Sequence, residues 1–369
     1  MDFIPLARPD IQDSDIRSMV DVVMSGMLVQ GKHVELLETS ISTYIGVPHV
    51  AALSNGTATL HTALVALGIG PGDEVIVPAF SYIATANVVE LVGATTVFCD
   101  VEAHSFNIDV AKIEELINSK TKAIIPVHEF GLACNMEEIM AIARKHSLYV
   151  IEDAACALGA MQNKKYVGSF GDYASFSLHP RKAITSGEGG LLVSMNQEAI
   201  DKVKILRNHG IQVIDGKMEF VVPGFNYRMT DFQAALVNSQ LSRLPQTLKY
   251  KNELAEIYLN EIKNPNIVLP VVPSGHTHTW QTFHVIVKNG NRDLAIQTLN
   301  KAGIGCNYGA QCIPAMKYYQ HKYKHNCAAL FPNALNAFEQ GIALPLYERL
   351  KPEQIKFISG EINKLNLVK

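Results

Sequence analysis

The sequence lacks paired cysteines. Its six, at positions 99, 134, 156, 306, 312 and 327, are scattered with no CxxC among them, so no disulfide framework or zinc ribbon is expected and they read as small buried hydrophobes. His276 and His278 in GHTHTW have no second ligand cluster, and no metal is expected. Charge of one sign is also scarce: acidic and basic residues are interspersed to a net of -3, which offers neither a basic patch for nucleic acid nor a polybasic membrane segment. The opening MDFIPLARPD has no apolar core of signal-peptide length, and no later run is long enough to span a bilayer. The expected location is the cytoplasm.

With 48% hydrophobic residues the chain can bury a large core, and 369 residues suggest two domains. VAALS, EVIVPAF, TTVFCD, KAIIPVH, LYVIED, YASFSL and GGLLVSM read as seven short strands. Amphipathic stretches such as TATLHTALVALG, DVAKIEELIN and MEEIMAIARKHS lie between them, the alternation of an α/β fold with parallel strands and crossover helices. From about residue 240 the pattern changes to a long helix and a mixed α+β tail. The expected division is therefore a large α/β domain over 1–240 and a smaller C-terminal α+β domain over 241–369.

Ligands of open α/β sheets sit at the carboxyl ends of strands, so the residues just after each apolar run carry the functional question. At SNGTATL, Asn55-Gly56 followed by Thr57 would aim free N–H groups and a hydroxyl at one spot, as a phosphate site does, or would be an ordinary turn with a Thr cap. Tyr82, after EVIVPAF, could stack on a planar ligand or simply pack. Glu152 and Asp153 end an apolar strand, where a carboxylate needs a positive partner or serves as a helix cap, and Ala154 and Ala155 leave room for a flat ring. In SFSLHPRKAITSGEGG a strand ends near Leu178 and a turn presents Arg181 and Lys182; a lysine beside another cation loses its proton more easily and becomes a nucleophile, although most lysines are solvated.

Taken together, SNGTATLHTAL, EDAACALGA, SFSLHPRKAITSGEGG and PGFNYRMTD resemble the pyridoxal phosphate (PLP)-dependent sugar aminotransferases of the DegT/StrS type, and the likeness runs from IPLARPDI to ALPLY. The resemblance implies PLP-dependent transferase fold type I, with a mostly parallel seven-stranded sheet between helices. It implies that Lys182 holds PLP as a Schiff base, Asp153 pairs with the pyridine nitrogen and Tyr82 stacks on the ring. Gly56, Thr57, Ala58 and Ser177 would hold the phosphate, Ala155 would lie against the ring, and Asn226 would reach in from the second subunit of a homodimer with shared active sites. His179, Glu188 and Tyr308 match positions near the sugar. The implied substrates are L-glutamate and a nucleotide-linked 4-keto-6-deoxy sugar, for cell-surface polysaccharide or related glycan biosynthesis.

The HPRKAIT loop is more similar to C4-specific members than to C3-specific ones, so amination at C4 is expected over C3. The related PLP-dependent sugar dehydratases carry His in place of the lysine, and a non-catalytic relative would lack Lys182 or Asp153; both are present. Two positions depart from the family pattern. Cys156 stands where relatives place Gln, His or Glu, and Gly309-Ala310 stand where many have a His-Tyr pair. A thiol is a weak hydrogen-bond partner, so cofactor tuning or sugar choice would differ here.

Overall fold

The computed structural model describes residues 3–288 and 290–366. Each of the seven apolar runs forms a strand of one sheet: β1 (His49–Leu53), β2 (Glu74–Pro78), β3 (Thr95–Cys99), β4 (Thr121–Ile124), β5 (Tyr149–Asp153), β6 (Tyr173–Ser177) and β7 (Gly190–Ser194). Their order across the sheet is β1-β7-β6-β5-β4-β2-β3. Only β7 runs antiparallel to its neighbours; the other pairs are parallel, because helical crossovers return the chain to the same edge. The strands are buried on both faces, which is why they read as continuous apolar runs rather than alternating ones.

Ten helices matter for the site or its support: α1 (Asp13–Ser25), α2 (Lys32–Ile45), α3 (Gly56–Ala66), α4 (Ala84–Leu91), α5 (Met136–His146), α6 (Gln197–Leu206), α7 (Asp231–Leu241), α8 (Leu244–Glu261), α9 (Arg292–Lys301) and α10 (Pro352–Lys364). Separate apolar clusters lie on the two faces of the sheet. One packs Leu60 and Leu64 of α3 against Val75, Val77 and Leu192; the other packs Leu37 and Ile41 of α2 against Ala52, Phe176 and Leu191. A third cluster surrounds a three-stranded antiparallel sheet of β8 (Ile267–Val268), β9 (Phe283–Val287) and β10 (Gly341–Leu344), covered by α8, α9 and α10. Ile4 joins this cluster, its N–H donating to the carbonyl of Gly303 at 2.8 Å. Among the described residues no helix is long and apolar enough to cross a membrane.

Two polar anchors fix the elements that frame the strand ends. The Asp231 carboxylate, at the start of α7, accepts from the N–H groups of Gly31, His33 and Val34 at 2.9, 3.1 and 3.0 Å. It thereby satisfies the orphan donors at the start of α2, where a negative charge also meets the positive end of the helix. Beside β1, the buried Arg207 donates to Glu38 at 2.6 Å and to the carbonyl of Ala52 at 2.7 Å, while Glu38 accepts from Ala52 N at 2.9 Å. Helices α2 and α6 are thus tied to the strand that leads into the Asn55-Gly56 turn.

Lys204 also reaches Glu38, at 3.0 Å, but is partly exposed, so removing Arg207 leaves the carboxylate with one solvent-screened partner. Arg207→Ala should lower unfolding stability by about 2 kcal/mol, the order of a hydrogen bond to a charged group. Arg207→Met combined with Glu38→Met should recover most of the loss. Denaturant melts of the three proteins test this, and equal midpoints would show that the pair does not anchor β1.

Candidate active site

The carboxyl ends of β1, β2, β4, β5 and β6 open into a cavity of about 530 Å³. That volume lies within the range of small-molecule sites, roughly 300–1,000 Å³. Gly56, Thr57, Tyr82, Asp153, Ala155, Ser177, His179, Lys182 and Glu188 line it. Nine of the twelve residues expected from the sequence therefore meet in one place.

The first wall is the turn from β1 into α3. Asn55 caps the helix, its Oδ1 accepting from Ala58 N at 2.8 Å, so the cap is Asn55 and not Thr57. This engages the N–H expected of Ala58: the residue is buried off the cavity wall and its donor is already used. Gly56 and Thr57 remain on the wall, with the unpartnered first N–H groups of a helix and the Thr57 hydroxyl. Ser177 faces them from the end of β6. The approach is close: a Cβ on Gly56 would lie 3.0 Å from the Ser177 Cβ, and one on Gly190 only 2.5 Å from the Asn55 carbonyl oxygen.

The floor is Asp153. Successive strand residues point to opposite faces, and Glu152 and Asp153 separate accordingly. Glu152 turns away from the cavity, pairing with His128 at 3.2 Å and accepting from the N–H groups of Gly168, Phe170 and Gly171 at 2.8–2.9 Å. Asp153 faces the cavity while only 5% exposed. The Thr85 hydroxyl donates to its Oδ2 at 2.7 Å and Ala155 N to its Oδ1 at 3.2 Å. Burial raises the Asp153 pKa, and the Thr85 and Ala155 hydrogen bonds oppose the rise. A cation placed against it would therefore be held strongly.

Lys182 stands opposite, on the loop after β6. That loop is fixed by Lys182 N donating to His179 O at 2.9 Å and by Gln240 of α7, whose side chain accepts from Thr185 N at 3.0 Å and donates to Thr185 O at 2.7 Å. The lysine Nζ donates to Cys156 Sγ at 3.0 Å. Burial raises the Cys156 pKa, the Lys182 charge lowers it and the Glu129 charge raises it again. Cys156, the departure from the family pattern, thus sits directly beside the Lys182 amine.

Two expected residues lie elsewhere in this chain. Asn226 is exposed and outside the cavity, where its backbone bridges to Asn208. Tyr308 packs edge-on against Phe338, ring centroids 5.6 Å apart, and does not reach the wall. The chain turns at Gly309, φ 82°, so the backbone of Gly309 and Ala310 lines the cavity where the Tyr308 side chain was expected. His276 and His278 do not converge: His278 is buried and stacked on Trp280 with ring centroids 3.9 Å apart.

Among the wall residues that sequence reasoning did not single out are Thr85, Glu129 and Gln281, and Arg181 was given no role of its own. Glu129 was accessible to the same rule that found Asp153, since it follows the apolar run KAIIPVH directly. Thr85 is inside a helix, and nothing in its neighbours marks it. Arg181 was read only as a charge beside Lys182, yet its Nε is buried without a partner.

The donor set fits pyridoxal phosphate. Free N–H groups and hydroxyls at Gly56, Thr57 and Ser177 suit its phosphate, the buried Asp153 carboxylate suits a protonated ring nitrogen, and Lys182 suits its aldehyde.

The profile of the DegT/DnrJ/EryC1/StrS aminotransferase family matches residues 9–363. The chain is 35% identical over 363 residues to GDP-perosamine synthase of Vibrio cholerae, covering 96% of this chain and 97% of that one. It is 33% identical over 382 residues to the UDP-4-amino-4-deoxy-L-arabinose–oxoglutarate aminotransferase of Shewanella sediminis, covering 99% and 98%. A Streptococcus pneumoniae chain assigned to the sugar aminotransferases has been solved in its PMP and PLP forms. Both are 30% identical, at TM-scores of 0.93 and 0.91, and they cover 98% of this chain and 98% and 99% of their own.

Thr85→Val keeps the shape of the side chain but removes the donor to Asp153. A hydrogen bond to a charged group contributes about 1.5 kcal/mol or more, so the dissociation constant for PLP should rise roughly tenfold. A visible-absorbance titration reads this, and an unchanged constant would remove Thr85 from the site.

Proposed function

The chain belongs to the DegT/DnrJ/EryC1/StrS aminotransferase family, and from that premise we propose that this PLP-dependent enzyme moves the amino group of glutamate to C4 of a nucleotide-linked 4-keto-6-deoxy sugar. One observation carries the catalytic part: an amine, Lys182, and a buried carboxylate, Asp153, face each other across a single cavity. Bound PLP supplies an electron sink for the carbanion formed at the amino donor's α-carbon. The protein supplies the rest. Asp153 keeps the ring nitrogen protonated, with Thr85 orienting the carboxylate. Lys182 holds the cofactor and, once free, carries the proton between the donor α-carbon and the sugar carbon.

Glutamate as donor is supported by two facts. Arg181 lies on the wall with a buried, unpartnered Nε, suited to a carboxylate, and the Shewanella relative is named for oxoglutarate, the keto acid that glutamate leaves behind. C4 is supported by the lysine loop and by the 4-amino sugar in the same relative's name. A cell-surface polysaccharide or related glycan is the proposed destination.

The same reading makes the enzyme a homodimer. The hairpin of Ile211–Ile214 and Lys217–Phe220 is exposed at every strand position but Ile211, and Val213, Met218 and Phe220 present 64–71% of their surface. Asn226 follows on the same exposed stretch. A contiguous apolar patch of this kind is characteristic of an interface, and a second copy covering it would bring Asn226 to the neighbouring cavity.

Lys182→His should abolish amination while leaving the fold intact, and retained turnover would contradict the assignment. Wild-type enzyme given glutamate and a panel of nucleotide keto sugars should yield a product whose amino carbon is C4 by NMR; amination at C3 overturns the regiochemistry.

A further inference from the structure

A second, smaller cavity lies behind the active-site wall and has no part in the chemistry described above. Its volume is about 10 Å³, room for a single water molecule. Glu129, Phe130 and Thr282 line both cavities and so form the partition between them. Two further lining residues of the small cavity, His104 and Val271, are exposed to solvent. His104 also lines an open surface groove, together with Lys288 and Asn336. Shared wall residues thus link the three spaces in series, from the active site to solvent.

The partition is held firmly. Phe130 and Gly131 turn the chain sharply, with φ of 53° and 100°, and Thr279 N and Gln281 N brace that turn by donating to the carbonyls of Gly131 and Phe130 at 3.0 Å each. Glu129 N donates to Asn107 Oδ1 at 2.8 Å. The small cavity also has an unsatisfied polar wall. His284 is 1% exposed, its ring stacked on Phe130 with centroids 4.5 Å apart, and neither ring nitrogen has a hydrogen-bond partner. The Ala337 carbonyl comes near the ring, but without hydrogen-bond geometry. Turning would not help, because the ring is hemmed in by backbone: a Cβ on Gly309 would lie 2.8 Å from Nδ1, and one on Gly341 2.3 Å from Nε2. A neutral imidazole carries one donor and one acceptor, and burying both unpaired is costly. Beside it, the Thr282 hydroxyl donates to Gln281 at 2.8 Å and keeps its lone pairs free to accept.

We propose that the small cavity holds a resident water on His284 and is a back passage through which the water of the reaction leaves while a nucleotide-linked sugar occupies the main cavity. The imidazole, the Thr282 oxygen and the Glu129 carboxyl give that water the two to four polar partners a buried water needs. The chemistry requires an exit. When an amine condenses with a keto carbon, a C–N bond replaces the C–O bond, and the carbonyl oxygen departs with two hydrogens of the amine as one water. With glutamate the balance is reversed: one water is taken up, its oxygen ending in the keto acid and its hydrogens on the amine. Neither water step changes an oxidation state. A main cavity of about 530 Å³ that takes cofactor and sugar together leaves little space for the released water. Glutamate is smaller and leaves the main opening free, so the passage serves the sugar half-reaction. The proposal rests on a nucleotide-linked sugar filling the main cavity and is independent of which carbon is aminated.

The test uses PLP-loaded wild type, His284→Phe and Leu132→Phe. Both residues line the small cavity and neither lines the main one. The first substitution removes the ring nitrogens and leaves an apolar wall, the kind that stays dry; the second adds bulk that fills the space. Crystal structures should show an ordered water within hydrogen-bond distance of His284 in wild type and none in either variant. In rapid-mixing experiments followed by cofactor absorbance, the half-reaction with glutamate should keep its rate in both variants. Transfer from the aminated enzyme to a nucleotide keto sugar should slow roughly tenfold, as when escape rather than chemistry limits turnover. A dry cavity in wild type overturns the resident water and the passage with it. So does an unchanged sugar half-reaction in a variant whose water is gone, or an equal loss in both half-reactions, which marks a distorted site. Should His284→Phe fail to fold, Leu132→Phe decides alone. The water and the glutamate half-reaction are read without sugar, so a wrong choice of sugar shows as absent amination in wild type with the water still in place.

Discussion

A carboxylate buried at the end of a central strand is the constraint around which this fold is arranged. Asp153 sits in the interior of the sheet's working edge, where an unpaired charge would be costly, and it is kept there by a threonine from one helix and an N–H from its own turn. The neighbouring residues follow from that placement. Glu152 must point the other way, and it does so usefully, gathering three backbone N–H groups and His128. His128 in turn fixes the start of the strained turn that aims Glu129 at the cavity. One pair of adjacent carboxylates therefore organises both the cofactor floor and the loop beside it.

Most of the seven-stranded sheet was legible, because strands buried on both faces need unbroken apolar runs and seven such runs alternate with helical stretches before residue 195. The sheet order was not legible. It depends on where each crossover returns, and the antiparallel placement of β7 leaves no mark in GGLLVSM. At the site, residues anchored immediately at strand ends were found, because backbone direction alone places them. Tyr308 was misplaced because a positive-φ glycine follows it and turns the chain, so its side chain packs on Phe338 while Gly309 and Ala310 reach the wall. Ala58 was misread for a different reason: Asn55 competes for its N–H, and a local cap takes the donor before any ligand can.

The departure at Cys156 takes on a definite physical meaning once the cavity is drawn. The thiol accepts a hydrogen bond from Lys182 at 3.0 Å but is a weak partner compared with an amide, imidazole or carboxyl group. Its pKa is raised by burial, so the site does not stabilise it as an anion that would trap the lysine as ammonium. A carboxylate in its place would add a full negative charge within a cavity that already holds Asp153 and Glu129. A thiol avoids that crowding.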